Sequence, residues 1–262
     1  MYGSVPELRA GLFEALSHGR HLILYGPRGS GKSTLVAHLY ARFLRANIPC
    51  ALAPSTSCLN DITSSLEAAF PQVNIQAVTR RTARYRLWSA ADRRRCVLLL
   101  DHFAEVSTAM VGFLRRLRGG IAGVLFVVDV DVERERIRMR KRARSLALSV
   151  PMPPASTRRL RVLLRSKCIE RGCSIEPEAE YQLLRTARGR PGWIVLCATL
   201  ISDARYWHNG HLYTTLLCTD TEITLRHGAL RLLATTQSIL RSGADNDVRP
   251  SRRDTRVALP RE

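Results

Sequence analysis

The chain has 262 residues and 45% of them are apolar, which is enough for one large domain or two small domains with a real hydrophobic core. It has no run of 18 apolar residues, and no charged segment followed by an apolar one near Met1. We therefore expect no membrane span, no signal peptide and a cytoplasmic location.

The strongly basic charge points towards a polyanionic partner. The 41 basic and 22 acidic residues give a formal net charge of +19, and a field of that size attracts nucleic acid or anionic lipid. Only Lys32, Lys141 and Lys167 are lysines, so the other 38 basic residues are arginines. An arginine-biased genome would give the same excess without any contact to DNA. The composition favours nucleic acid as a partner and leaves this alternative open.

The first predicted elements surround a glycine-rich loop. Apolar residues at helical spacing predict a helix over residues 5–17, and the apolar run 21–25 predicts the first strand. The loop that follows, GPRGSGKST at 26–34, has the spacing GxxxxGK[ST] and opens a helical pattern that reaches about residue 46. A strand, a glycine loop and a helix in this order are typical of the P-loop, in which backbone N–H groups and a helix N-terminus bind phosphate.

The P-loop predicts ATP and Mg²⁺ as cofactors. Lys32 is expected to contact the β- and γ-phosphates, the Ser33 hydroxyl to bind Mg²⁺, and Thr34 to lie near the α-phosphate. The expected cofactor-binding residues are Gly26, Pro27, Arg28, Gly29, Ser30, Gly31, Lys32, Ser33 and Thr34.

An arginine-rich helix is predicted before the third strand. Residues 49–54 predict a short second strand and residues 59–70 predict a helix. The stretch 79–95 then interleaves Tyr85 and Trp88 with seven arginines: Arg80, Arg81, Arg84, Arg86, Arg93, Arg94 and Arg95. Two interpretations remain open, namely a helix that offers arginines to phosphates and a ring to bases, or a solvated helix with both rings packed inward.

Two further apolar runs end in carboxylates. Residues 96–100 predict a buried strand followed by Asp101, and residues 121–128 predict another followed by Asp129, with an amphipathic helix over 103–117 between them. We interpret Asp101 as the Walker B aspartate, which holds Mg²⁺ from the strand next to the P-loop strand. Buried strands that alternate with helices predict a parallel sheet covered on both faces.

The chain after Asp129 completes this α/β core and then changes to helices. A charged helix over 131–144 and a fifth strand over 146–150 complete a core domain of residues 1–150, which a proline-rich hinge at 151–154 follows. Three helical patterns then predict a small all-α lid over 155–205, namely 157–171, 177–187 and 192–204.

The last part of the chain gives weaker patterns. Residues 206–241 predict an extension with a hairpin, formed by 212–217 and 222–226, and a helix over 228–239. Residues 242–262 are polar, aperiodic and rich in arginine, which predicts a disordered basic tail.

With these motifs the chain resembles the AAA+ P-loop ATPases over about residues 5–205. The resemblance rests on the Walker A loop at 26–34, the Walker B strand at 97–101, a polar residue ending the next strand, the short fifth strand, the proline hinge and the three-helix lid. The hinge followed by a leucine-rich helix looks most like the origin-recognition, TniB-like and ExeA-like group. The resemblance implies a parallel five-stranded sheet with helices on both faces, followed by a helical lid.

The resemblance also implies roles for residues after the third strand. Asp129 falls at the sensor 1 position of the family, and Asp131 is a nearby alternative. The arginine finger lies between the sensor 1 strand and the fifth strand, where the candidates are Arg138, Arg140, Arg142 and Arg144, with Arg142 favoured. A finger acts on the γ-phosphate held by a neighbouring subunit, so it implies a homo-oligomer.

Two positions depart from the family pattern. His102 stands where a glutamate normally polarises the attacking water; either His102 or Glu105 takes this role, or hydrolysis is slow and ATP acts mainly as a switch. Gly192 stands where the lid normally supplies the sensor 2 arginine, for which Arg188 or Arg190 is the substitute. The expected catalytic residues are Lys32, Asp101, His102, Glu105, Asp129 and Arg142.

We therefore expect a slow ATPase that oligomerises with ATP and acts on or near nucleic acid to recruit or load a partner. Its arginine-rich segments are expected to contact DNA. The alternative is an ATP-dependent regulatory switch with a protein partner and no direct role on DNA. A small-molecule kinase is disfavoured because no substrate-site motif accompanies the P-loop.

Overall fold

A computed structural model describes residues 4–54, 56, 59–76, 78–103, 123–130 and 147–227. The elements up to the hinge are α1 (Val5–Ser17), β1 (Leu22–Gly26), α2 (Lys32–Arg45), β2 (Cys50–Ala53), α3 (Leu59–Ala69), α4 (Arg80–Arg93), β3 (Val97–Leu100), β4 (Gly123–Asp129) and β5 (Leu148–Pro151). Each strand corresponds to an apolar run, and β1, β3 and most of β4 are buried because helices cover both faces of the sheet.

The five strands form one parallel sheet in the order β2-β3-β4-β1-β5, which confirms the predicted fold class. The prediction that Asp101 ends the strand next to the P-loop strand is wrong. Leu125 of β4 pairs with Leu22 of β1 on one side and with Leu99 of β3 on the other, so β4 lies between them. This order brings Asp129, at the end of β4, between the P-loop and Asp101.

Two apolar layers hold the sheet. Residues of α1 and α2 such as Leu12 and Leu39 pack on one face of the sheet, and residues of α3 and α4 such as Leu66 and Leu87 pack on the other. Side chains alternate along each strand, so a single strand contributes to both layers. The P-loop and the strand ends are therefore supported from two sides.

Three helices form the lid after the hinge: α5 (Thr157–Glu170), α6 (Pro177–Ala187) and α7 (Pro191–Leu200). Ser156 begins α5 as its N-cap, accepting a hydrogen bond from the Arg159 N–H at 3.3 Å. Leu164, Leu183 and Trp193 are fully buried in a core of their own. The predicted helical character of this region agrees with these three elements.

The predicted hairpin over 212–217 and 222–226 is wrong. A two-residue ladder joins β6 (Trp207–His208) to β7 (His211–Leu212), and the chain then forms helix α8 (Thr214–His227). Leu217 and Thr221 are fully buried one helical turn apart, and Leu217 belongs to the lid core. The threonines of this stretch favour a strand, but the segment forms a helix because only helical spacing lets its apolar side chains pack against the lid.

Several predicted elements lie outside the described residues. These are the helices over 103–117, 131–144 and 228–239, apart from Phe103, and the tail at 242–262. Within the described residues, no helix has both the length and the apolar composition that a membrane span needs.

Candidate nucleotide site

The P-loop backbone has the geometry of an anion cradle. Gly29 and Gly31 have φ values of 76° and 92°, a left-handed conformation that only glycine adopts readily. Gly31 is the N-cap of α2 and provides no side-chain hydrogen bond to it, so the N–H groups of Lys32, Ser33 and Thr34 have no acceptor within the helix. This end of α2 therefore offers N–H groups and partial positive charge to a phosphate.

The Lys32 ammonium is held at the floor of this cradle. Its Nζ donates hydrogen bonds to the Gly26 and Pro27 carbonyl oxygens at 2.8 and 2.9 Å, and forms an ion pair of 2.7 Å with Asp129 Oδ1. The side chain is buried, so these charged contacts are poorly screened by water. The site thus holds a lysine beside the loop, as a β- or γ-phosphate requires.

Asp101 supplies a buried carboxylate at the end of β3. The Thr56 hydroxyl, itself fully buried, donates a hydrogen bond of 2.7 Å to the Asp101 carbonyl oxygen and fixes this strand end. Burial raises the pKa of the Asp101 carboxyl, although neighbouring His102 and a hydrogen bond with the Ser33 hydroxyl oppose the shift. Ser33 and Asp101 are therefore adjacent, and a hydroxyl with a carboxylate is an oxygen donor set that suits Mg²⁺.

His102 is turned into the same site by an unusual backbone. Its φ is 48°, and its N–H donates to Asp101 Oδ1 at 2.9 Å. The ring nitrogen Nε2 lies 3.5 Å from Ser33 Oγ and 3.9 Å from Asp101 Oδ2. A left-handed conformation at a residue other than glycine costs about 1–2 kcal/mol, so it persists only where surrounding contacts impose it. The imidazole consequently lies between the P-loop and the Asp101 carboxylate.

Asp129 connects His102 to the P-loop. Its Oδ2 lies 3.8 Å from His102 Nδ1 and 3.5 Å from Arg28 Nε, while its Oδ1 pairs with Lys32. Burial alone would raise the pKa of the Asp129 carboxyl, but His102 and Lys32 hold it well below its usual value. The nearby Asp129 carboxylate raises the pKa of the His102 imidazole in turn. An ionised carboxylate thus stands at the predicted sensor 1 position.

The lid contacts the tip of the P-loop through two glycines. The Gly192 N–H, in the first turn of α7, donates a hydrogen bond of 2.8 Å to the Gly29 carbonyl oxygen. A Cβ atom added to Gly192 would lie 3.0 Å from Gly29 Cα and 3.1 Å from Gly29 O. Gly192 stands where the family resemblance implied an arginine, and this close backbone contact explains why the position holds no side chain.

Helix α8 reaches the same loop. The Arg28 guanidinium donates a hydrogen bond to the Arg226 carbonyl oxygen, and a Cβ atom added to Gly29 would lie 3.3 Å from Leu225. Arg190, one candidate for the sensor 2 role, pairs instead with Glu222 of α8 at 2.9 Å. The second candidate, Arg188, has a φ of 48° and caps the end of α6.

The donor set fits a phosphate with a divalent cation. The loop would supply N–H groups and Lys32 to a phosphate, and Ser33 with Asp101 would supply hard oxygen ligands to a cation. Among the residues that the structure describes, no three His, Cys, Asp or Glu side chains form a metal site by themselves. A cation here therefore needs the Ser33 hydroxyl and oxygens of the phosphates as well.

Some predicted residues fall outside the described part of the chain, and other contacts were missed. Glu105 and Asp131 lie outside it, as do all four finger candidates, Arg138, Arg140, Arg142 and Arg144.

Sequence reasoning missed Thr56, which supports Asp101, and Met152, whose Cβ lies 3.0 Å from a Cβ built on Gly26. Neither residue has a motif around it. Gly192 did carry a signal, since a glycine after proline at a helix start permits close backbone contact.

The arginine-rich helix α4 resolves into an inner and an outer face. Tyr85 is 72% exposed, whereas Trp88 packs against the core between α4 and the sheet. Arg84 donates to Asn60 Oδ1 at 2.6 Å and Arg86 to the Asn74 carbonyl oxygen at 2.8 Å. Of the two aromatic residues, only Tyr85 remains available for stacking.

Comparison with known proteins gives one family match and several similar folds. Residues 15–131 match the family model of the AAA domain. No curated protein matches the sequence. Among solved structures, Aeropyrum pernix Orc1 in complex with DNA is similar at 15% identity and a TM-score of 0.55, over 86% of this chain and 67% of that one.

Two further solved structures share the fold. Cdc6p of Pyrobaculum aerophilum has 14% identity and a TM-score of 0.54, over 79% of this chain and 62% of that one. Domain III of the Thermotoga maritima replication initiation protein DnaA has 13% identity and a TM-score of 0.52, over 84% of this chain and 93% of that one. The chain therefore spans about two thirds of the length of the Orc1 and Cdc6p chains. The resemblance to the AAA+ P-loop ATPases drawn from the motifs is confirmed, since residues 15–131 match the AAA domain model and the chain shares the fold of the Orc1 and Cdc6p structures.

Proposed function

We propose that the chain binds ATP with Mg²⁺ at the P-loop, hydrolyses it slowly, and uses the bound nucleotide to set an assembly state on or near nucleic acid. The main support for slow hydrolysis is the environment of His102. Its ring nitrogens lie 3.5 Å from Ser33 Oγ, 3.9 Å from Asp101 Oδ2 and 3.8 Å from Asp129 Oδ2, and His102 follows Asp101 where the family pattern has a glutamate. Asp129 also favours the protonated imidazole, which cannot accept a proton from water.

Single-turnover hydrolysis tests this part of the proposal. We expect the wild-type protein to bind ATP and release phosphate slowly, and His102→Glu to hydrolyse ATP faster because a carboxylate can polarise the attacking water. Lys32→Ala serves as the control that loses nucleotide binding. Fast turnover by the wild type that His102→Glu fails to raise would contradict the proposal.

The proposed contact with nucleic acid rests on helix α4. Its 14 residues extend over about 20 Å, a length along which duplex DNA presents several phosphates. Arg80 and Arg81 are exposed in its first turn, and Tyr85 is exposed one turn later. The similar Orc1 structure was solved in complex with DNA, and the similar DnaA domain belongs to a replication initiation protein. Both support a contact between this chain and nucleic acid.

Salt-dependent DNA binding tests the role of α4. We expect the double change Arg80→Ala and Arg81→Ala to weaken binding of a DNA duplex and to reduce the salt slope by about 1.8, since each phosphate contact contributes about 0.9. The matched control is Arg158→Ala with Arg159→Ala, because these two arginines are also exposed in the first turn of a helix. Equal loss in both double variants would show general electrostatic attraction and no dedicated surface.

Assembly is tested in the same samples. We propose that ATP drives formation of a homo-oligomer in which each ATP site is completed by an arginine finger from a neighbouring subunit. Arg142 is the favoured candidate for this finger. Light scattering should show a larger particle with ATP than without it, and Arg142→Ala should abolish this increase in size. A particle of the same size with and without ATP would refute the assembly step.

The second candidate function is a nucleotide switch that acts on a protein partner and has no direct role on DNA. His102 at the glutamate position and Gly192 at the arginine position both favour it, since each weakens the case for rapid hydrolysis. Tight retention of ATP together with no DNA binding at low salt, with or without ATP, would select this function over the first.

A further inference from the structure

We infer that the Asp129 carboxylate competes with the nucleotide phosphates for the Lys32 ammonium, and that this contact lowers the affinity of the site until ATP displaces it. The inference rests on the proposed nucleotide site. It gives Asp129 a role in setting how tightly ATP binds, separate from any role in hydrolysis.

The Lys32 ammonium already has an acceptor for each of its three protons. Nζ lies 2.8 Å from the Gly26 carbonyl oxygen, 2.9 Å from the Pro27 carbonyl oxygen and 2.7 Å from an oxygen of Asp129. A lysine side chain has three N–H donors and no more. A phosphate oxygen can therefore accept a hydrogen bond from Lys32 only if one of these three acceptors gives up its place.

Asp129 is the acceptor that can leave. The Gly26 and Pro27 carbonyl oxygens belong to the backbone of the loop, and the Gly26 oxygen also accepts the Val130 N–H at 3.0 Å. Asp129 holds Lys32 through its side chain, which can change rotamer while its backbone stays paired with β1. Displacement of this carboxylate consequently leaves the loop and the sheet unchanged.

Other basic groups remain close to the displaced carboxylate. Arg28 Nε lies 3.5 Å and His102 Nδ1 lies 3.8 Å from Asp129 Oδ2, whereas Lys32 contacts Oδ1. Asp129 therefore keeps charged neighbours when Lys32 turns to a phosphate. This arrangement avoids the large cost of a buried carboxylate that has lost its partner.

The charge of Asp129 opposes a phosphate at this place. Although burial works against it, His102 and Lys32 keep the pKa of the Asp129 carboxyl well below its usual value, so the group is ionised at neutral pH. The Lys32 side chain is buried, and water screens charges poorly there. A negative charge 2.7 Å from the ammonium offsets part of the positive charge that the loop offers to ATP. Removal of this carboxylate should consequently tighten nucleotide binding.

The affinity for a fluorescent, non-hydrolysable ATP analogue in Mg²⁺ tests this inference. We expect Asp129→Asn to bind the analogue about tenfold more tightly than its parent, since a hydrogen bond to a charged group changes an equilibrium by about that factor or more. The comparison is made in the wild type and in a His102→Asn background, where loss of the carboxylate cannot change the charge of an imidazole. Asparagine tolerates the left-handed backbone at that position.

Asp203→Asn is the matched control for net charge. It removes one negative charge from an exposed ion pair, in which Asp203 lies 3.3 Å from Arg205, and it should leave the affinity for the analogue unchanged. Asp129→Ser removes the carboxylate with a smaller side chain and should give the same gain as Asp129→Asn, so either folded variant is sufficient.

Urea unfolding without nucleotide separates competition from damage to the fold. Asp129→Asn should be less stable than its parent, because Lys32 loses a charged partner, and should nevertheless bind the analogue more tightly. A purely structural role of Asp129 would lower both the stability and the affinity.

Equal or weaker analogue binding by the folded Asp129 variants in the His102→Asn background, or an equal gain in Asp203→Asn, would overturn the inference and leave the nucleotide site intact. Absence of analogue binding in the wild type and in every variant would instead overturn the proposed nucleotide site, and this inference with it.

Discussion

Replacing Gly192 by alanine should destabilise the contact between the lid and the P-loop. The new Cβ atom would lie 3.0 Å from Gly29 Cα and 3.1 Å from Gly29 O, closer than ordinary van der Waals contact, so the first turn of α7 must move by several tenths of an ångström. Overpacking of this kind costs about 1–3 kcal/mol, and weakening the Gly192–Gly29 hydrogen bond adds about 0.5–1.5 kcal/mol. Alanine regains about 0.5–1 kcal/mol through its better helix propensity, so the net loss is roughly 0.5–4 kcal/mol.

Urea unfolding of the wild type, Gly192→Ala and Gly172→Ala measures this effect. Gly172 has a φ of 66° and nothing within 4 Å of an added Cβ atom, so its alanine variant carries backbone strain alone. Both variants should be less stable than the wild type, but only Gly192→Ala should also weaken ATP binding, because it displaces the loop tip. Gly192→Ala with wild-type stability and wild-type ATP affinity would refute the reasoning about this contact.

Three further predictions concern the supports of the site and the core. Burial alone would raise the pKa of the Glu222 carboxyl, but the hydrogen bond from Arg190 keeps this pKa below its usual value of 4.5. The stabilisation from this pair is therefore present above pH 4.5 and is lost as the pH falls through the lower pKa of the folded state. In urea unfolding, the stability difference between the wild type and Glu222→Gln should consequently shrink in acid. Thr56→Val should cost about 1–3 kcal/mol by leaving the Asp101 carbonyl without its buried donor, and should reduce the Mg²⁺ dependence of ATP binding in a calorimetric titration. Leu98→Ala, at a fully buried position of β3, should lower the free energy of unfolding by about 2–5 kcal/mol, and a loss below about 1 kcal/mol would show that the sheet is less tightly packed than described.

The local parts of the site could be predicted because they depend on short stretches of sequence. GxxxxGK[ST] between a strand and a helix fixes the cradle around Lys32 through neighbouring residues alone. The order of the strands could not be predicted in the same way. Whether β4 or β3 lies beside β1 depends on crossover connections, and no local pattern records which strand inserts between two others.

Two other features needed the three-dimensional structure for the same reason. The stretch at 214–227 is rich in β-prone threonine, and its helix follows from packing of Leu217 against the lid, a contact distant in sequence. The family pattern marks Gly192 as a missing arginine, and a glycine after proline at a helix start shows only that a close backbone contact is possible there. Its contact with Gly29, 163 residues earlier in the numbering of the chain, gives the glycine a positive role.

Calorimetric titration of ATP with Mg²⁺ into the wild type and Lys32→Ala tests the central claim most directly. We expect one ATP per chain for the wild type, and an affinity lower by roughly ten- to a hundredfold in Lys32→Ala, since hydrogen bonds to charged groups contribute about 1.5–3 kcal/mol. Circular dichroism should show that the variant remains folded. Absence of ATP binding by the folded wild type, or equal affinity in the two proteins, would contradict the assignment of the loop at 26–34 as a nucleotide site.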